Sequence, residues 1–184
     1  VCHNMAAKYV LGVTTHQLNR DFKHDGETAN QLEHFDDLGL FTEPLSKPAE
    51  ELPRLVDYHD ENQQLDLRAR SYLHANCSHC HRKWGGGNAK FQLLATLDWK
   101  ETGALEGRPA HGTFQMTQAK LLAAGDPYRS VACYRMAKLG PGRMPRLGSN
   151  VTDQAGLKLI HDWIAGIPAS DQPETVESDE GLIA

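Results

Sequence analysis

Cys77-Ser78-His79-Cys80-His81 is the stretch whose residue types and spacing most plainly carry chemistry. It reads C-x-x-C-H, the pattern of covalent c-type haem attachment. Two thiols at this spacing can each add to a vinyl group of one porphyrin. The histidine that follows at once can then ligate the iron through an imidazole nitrogen. Zinc would need a second ligand pair, and a thioredoxin-like redox pair would need a βαβ setting. The sequence presents neither.

An iron held by His81 needs a sixth ligand or an open site. Met144 is the candidate, within Gly140-Pro141-Gly142-Arg143-Met144-Pro145-Arg146-Leu147-Gly148. The prolines and glycines predict a rigid loop there, not a helix. A thioether in such a loop can swing onto the far face of a haem. His/Met ligation raises the reduction potential and suits electron transfer. Met5 and Met136 read as core filler. His111 and Met116 are the reserve ligands.

Cys2-His3 looks like the second half of another such motif. Three readings stand open: a second haem held by one thioether with His3 as ligand, a disulfide from Cys2 to Cys133, or an unpaired thiol. A second haem would need another ligand, for which His16, His24 and His34 are available, although each also reads as a surface side chain.

Several elements must position these groups. A short helix is predicted over 15–19, capped by Thr14 or Thr15. A second is predicted over 29–38 on the spacing of Leu32, Phe35 and Leu38, stopped by Gly39. Pro44, Pro48 and Pro53 make 42–65 an extended surface linker. A helix over 66–75, with Leu67, Ala69, Tyr72 and Leu73 on one face, would deliver Cys77 and Cys80. His74 and His79 are expected to face solvent. Loosely alternating apolar residues over 91–99 suggest a short strand pair with 112–116, a small β insertion. Trp84 and Trp99 are expected to pack on a haem edge or in the core. Asp126-Pro127 should open a helix ended by Gly140. Thr152 should cap a last one, with Leu157, Ile160 and Ile164 buried and His161 beside them.

Taken together, Cys77 to His81, the Arg143-Met144-Pro145 loop with a glycine shortly after, and a C-terminal amphipathic helix resemble a class I cytochrome c. The run 65–168 is similar to one bacterial subgroup of such domains, often found at the C-terminal end of larger extracytoplasmic proteins, some with sugar-dehydrogenase-like partners. Ser71-Tyr72-Leu73, Gly85-Gly86-Gly87-Asn88, Gly125-Asp126-Pro127 and Leu139-Gly140-Pro141-Gly142-Arg143-Met144-Pro145 carry the likeness. Val10-Leu11-Gly12 and Gln17-Leu18-Asn19-Arg20 look similar to the segment preceding such domains. The subgroup would have a complete Cys-x-x-Cys-His where this chain starts at Val1-Cys2-His3. The resemblance implies a mostly α fold around a covalent haem, with the first and last helices crossing near Tyr72 and Trp163. The expected organisation is an N-terminal extension and linker over 1–64, a cytochrome c domain over 65–168 and an acidic tail over 169–184.

The chain of 184 residues carries a formal net charge of −5, which the five acids of 169–184 alone account for. No apolar run is long enough to span a bilayer, and no signal peptide is read. Since haem c is attached outside the cytoplasm, the expected compartment is the periplasm or beyond. Arg129, Arg135, Lys138, Arg143 and Arg146 bracket the methionine loop, while Arg82 and Lys83 follow the cysteine motif. These cations either ring an exposed haem edge and dock an acidic partner, or are solvated and bind propionates. Nothing suggests nucleic acid.

The expected function is electron transfer by a His81/Met144 haem c, without enzymatic chemistry. The partner would be a dehydrogenase domain, a respiratory or photosynthetic complex, or another cytochrome. Two other classes are compatible with the same motif: a haem peroxidase or oxidase with an open iron, and a structural or docking subunit of a larger redox or photosynthetic complex.

Overall fold

The computed structural model describes residues 3–7, 9, 13–87 and 90–168. Val10-Leu11-Gly12, Asn88, Cys2 and the acidic tail from Ala169 onward lie outside the described residues. Regular structure is mostly helical, with one small two-stranded sheet. The chain divides into two compact units, Val1–Thr96 and Leu97–Ala184. The division falls within the run 65–168. No helix among the described residues is long and apolar enough to cross a membrane.

In the first unit a 3-10 turn, Met5–Ala7, precedes α1 (Thr15–Leu18), where Gln17 Oε1 accepts from the Thr14 N–H at 2.8 Å. This reaching back from the first turn is one half of a capping box. Strands β1 (Asp21–His24) and β2 (Glu27–Asn30) follow as an antiparallel hairpin, with Asp21 opposite Asn30 and His24 opposite Glu27. Asp25 and Gly26 turn it with φ of +48° and +94°. Positive φ at both central residues is the turn that matches strand twist, and Asp-Gly is its favoured dipeptide. The strand pair expected over 91–99 and 112–116 does not form. Phe114 and Gln115 have φ of +53° and +64°, and the Met116 N–H closes a turn on the Thr113 carbonyl.

Helix α2 (Gln31–Asp37) starts two residues later than the periodicity suggested. Ala29 and Asn30 belong to β2, and the Asn30 side chain caps the helix by accepting from the Leu32 N–H. Leu32 is buried, but Leu38 is exposed. The segment read as an extended linker is in fact stapled to this region. A single turn of 3-10 helix, Ala49–Glu51, buries Ala49. Asn19, itself 1% exposed, donates to the carbonyls of Ala49 at 2.7 Å and Leu52 at 3.0 Å. Its Oδ1 accepts from Asn30 Nδ2 at 2.9 Å. The Leu55 N–H bonds the His16 carbonyl, and the Val56 N–H bonds Ser71 Oγ on the next helix.

That helix, α3 (Leu65–Cys77), buries Ala69, Ser71, Tyr72, Leu73 and His74. Leu67, expected on the buried face, is exposed. Tyr72 packs edge-on against Tyr58 with ring centroids 5.1 Å apart.

In the second unit, Asp126 caps a 3-10 turn, Pro127–Arg129, but the expected continuous helix breaks at Ser130. Ser130 is wholly buried, its hydroxyl donating to the Asp126 carbonyl and accepting from the Ala123 N–H. Helix α4 (Val131–Ala137) then runs with Val131 and Cys133 inside, ending at Lys138 before Gly140 is reached. Helix α5 (Gln154–Ala165) is capped by Asp153, not Thr152. Its buried stripe is Gly156, Leu159, Ile160, Trp163 and Ile164. Leu157 lies at its half-buried edge. Trp163 meets Trp99 edge-on at 4.7 Å, so Trp99 packs as expected.

Asn19→Ala strips two buried carbonyls of their donor and should lower the unfolding free energy by ~2–3 kcal/mol. Asn19→Asp keeps the size but loses the donor, and should cost as much. Urea unfolding followed by circular dichroism checks both.

Candidate functional site

The last turn of α3 fixes the cysteine motif. The Ser78 N–H bonds the carbonyls of Leu73 and His74, and its hydroxyl donates to the His74 carbonyl at 2.7 Å. The Cys77 carbonyl then accepts from two amides, Cys80 at 3.1 Å and His81 at 2.9 Å. Cys77, Cys80 and His81 are thus held on one turn that continues the helix. The backbone closes over it: the Gly87 N–H bonds the Cys80 carbonyl, and the Leu93 N–H bonds the His81 carbonyl. A Cβ at Gly85 would lie 2.4 Å from the Cys80 oxygen, and one at Gly87 would lie 3.0 Å from it. Only glycine permits this approach. The His81 ring stacks on Phe91 with centroids 4.4 Å apart and planes 15° apart, which fixes its orientation.

Neither Cys77 nor Cys80 is in a disulfide. Burial, and then the neighbouring Cys80, push the Cys77 thiol up to about 12. Among the described residues no three His, Cys, Asp or Glu side chains converge as a metal-binding group. The donor set fits a porphyrin anchored through two sulfurs, with His81 beside it: reduced cysteines on one turn, an imidazole of set orientation, and glycines that keep side chains away from the turn.

Met144 belongs to the second unit and is half-buried. Its loop is rigid for a reason that proline and glycine do not supply. Arg143 is 8% exposed and its guanidinium is spent on backbone oxygens. It donates to Ser149 at 2.8 Å, Met136 at 3.1 Å, Lys138 at 2.6 Å and also to Val151. Arg135 donates to the carbonyls of Gly142 and His111, and the Met144 N–H bonds the Arg135 carbonyl. Gly142 has φ of +85°, and a Cβ there would crowd the Phe114 ring at 3.1 Å.

The expected ring of docking cations is therefore mostly engaged locally. Arg143 and Arg135 clamp the loop, Arg129 pairs with Asp126 at 2.8 Å, and Lys138 donates to Leu139 and Pro141. Arg146 remains exposed. Of the reserve ligands, His111 is exposed and Met116 is half-buried.

Three further expectations change. Trp84 is 81% exposed, with the Lys83 ammonium 5.5 Å from its ring. Met5 is exposed and so is no core filler. His79 is half-buried, and burial, then Arg82, lower its pKa. His3 Nδ1 contacts the Tyr9 carbonyl at 2.8 Å, while its neighbour Cys2 lies outside the described residues. Cys133 is a buried thiol joined to no described cysteine, with burial pushing it up to about 12. His24 and His34 stack at 3.8 Å, and His16 lies 5.6 Å from His74.

His74 is the residue that sequence reasoning misplaced most. It is 5% exposed, and its Nδ1 accepts from the Ala95 N–H at 3.1 Å. Burial, then the charges of His16 and Arg82, lower its pKa to about 4. Only its position next to Tyr72 and Leu73 hinted at an inward face.

In comparisons with family models, curated proteins and solved structures, nothing matched this chain.

Two outcomes follow from this geometry. His74 binds fewer protons folded than unfolded between pH 6.5 and 4, so its contribution is whole above about 6.5 and lost as pH falls toward 4. That loss amounts to at most ~3 kcal/mol. Denaturant midpoints across this range should fall less steeply with acid in His74→Gln than in the parent. Arg143→Ala, and equally Arg143→Lys, should cost ~3 kcal/mol, because an ammonium cannot reach so many divergent carbonyls. Unfolding curves of the two variants measure it.

Proposed function

We propose that this chain is an electron-transfer c-type cytochrome, with haem attached through Cys77 and Cys80 and axially ligated by His81 and Met144. The observation that carries the reading is the Cys77-Ser78-His79-Cys80-His81 turn at the end of α3, where one carbonyl gathers both the second cysteine and the histidine.

A bound haem supplies a one-electron iron couple. The chain's own residues do the rest. The sulfurs of Cys77 and Cys80 would hold the haem covalently as thioethers. Phe91 holds the His81 ring plane. Arg143 and Arg135 restrict the backbone that carries Met144, so that its thioether is presented from a loop of low conformational entropy. With His81 and Met144 both as ligands, the iron would be suited to electron transfer and not to oxygen chemistry. No side chain need move a proton, so no catalytic residue is assigned. The partner is a redox protein, and the compartment is extracytoplasmic, where such attachment takes place. The second cofactor site at Cys2 and His3 remains part of the proposal only as an alternative to an unmodified Cys2.

Pyridine haemochrome absorbance with intact mass should show a haem bound by two thioethers at Cys77 and Cys80. A second haem would appear as one further mass increment, mapped to Cys2 by peptide digestion. A colourless protein matured in a haem c-competent host would end the proposal. Met144→Ala should abolish the weak near-infrared band of methionine-to-iron ligation and lower the reduction potential. An unchanged band would move the sixth ligand elsewhere.

A further inference from the structure

A second feature of the first unit stands apart from the cysteine turn. A cavity of about 440 Å³ is lined by Ala6, Thr14, His16, His74, Arg82, Lys83, Gln92, Leu94 and Thr96. Its size lies within the range of sites for organic ligands, roughly 300–1,000 Å³. No carboxylate lines it. The polar groups that do are mainly donors.

His74 shows this most directly. Because Nδ1 accepts from the Ala95 N–H, the neutral ring must carry its proton on Nε2. That nitrogen has no partner among the described residues and, unlike Arg82 Nε, is not shut off from solvent, so it can meet a ligand in the cavity. The tautomer also argues against His74 as an iron ligand, since a ligating Nε2 needs the proton on Nδ1. Arg82 supplies a full positive charge. Its Nη1 donates to the Ala6 carbonyl at 3.2 Å, but its Nε is buried without a partner. Gln92 turns its oxygen to the Lys83 N–H at 2.9 Å, which leaves its amide nitrogen as a donor. A buried donor without an acceptor, as at Arg82 Nε, is costly and is normally satisfied. Ala6 and Leu94 provide apolar wall.

We propose that this cavity is a binding site for an organic carboxylate, with Arg82 and His74 Nε2–H holding the anionic group and Ala6 and Leu94 contacting its apolar body. The carboxylate has two sources: a haem propionate, or a free organic acid. The inference does not rest on the haem reading, since the donors and the cavity are present in the chain itself.

The test uses the full chain in two forms, matured with haem and produced haem-free, titrated with 4-phenylbutyrate and followed by histidine imidazole NMR shifts. The uncharged 4-phenylbutanol is the control. Saturable binding of the acid, weakened about tenfold or more by Arg82→Gln, is the expected result. Binding in both forms assigns the site to a free acid. Binding in the haem-free form alone assigns it to a propionate. If the haem-free chain does not fold and the haem-bearing chain binds no acid, Arg82→Gln in the haem-bearing chain must raise the propionate-linked ionisation seen in the pH dependence of the reduction potential. An unmoved ionisation overturns the proposal. So does the absence of binding in both folded forms, equal binding of the alcohol, or binding indifferent to Arg82→Gln.

Discussion

The carbonyl of Cys77 is the point on which the proposed site depends. A helix leaves its last carbonyls without intrahelical donors. Here that orphaned acceptor takes the amides of Cys80 and His81 together. The chain thereby turns just enough to keep two sulfurs and an imidazole on one loop, while Gly85 and Gly87 let the following backbone pass at a distance a side chain would forbid. Helix α3 is in turn held by its own buried residues and by Ser71, which accepts from the Val56 amide. The segment before the helix is thus part of what fixes the cysteines.

The methionine loop obeys a different rule. It has no regular structure, so its carbonyls have no ladder to satisfy them. One guanidinium, Arg143, answers several at once, which its planar fork of donors allows. A buried charge is normally a liability. Here the partial charges of several carbonyls surround it in place of a counter-ion. Arg143, next to the proposed ligand, therefore serves the loop and is not available to a docking partner.

Much of this was legible in the chain. Capping residues, glycine and proline marked α1 and α5, and apolar spacing marked α3, within a few residues, because those signals act locally. The Asp25-Gly26 hairpin was equally legible and went unread, since its strands lack apolar alternation. The failures share a cause. Asn19, His74, Ser130 and Arg143 are polar residues that ended up buried, and a sequence pattern assigns polar residues to the surface. Each is inside because backbone groups outside any helix or strand ladder needed a donor or acceptor there. The partner of Asn19 lies thirty residues away, and no local pattern records it.

Residue types and spacing alone determined the chemistry open to Cys77, Cys80 and His81, since thioether attachment and imidazole ligation need only those atoms in that order. They also marked Met144 as a sulfur in a loop. Tertiary structure alone decided which side chains hold those atoms still, because hydrogen bonds between remote segments form only once the intervening chain has folded back. It also decided that His74 faces inward as a donor, for the tautomer of an imidazole is set by what its other nitrogen meets.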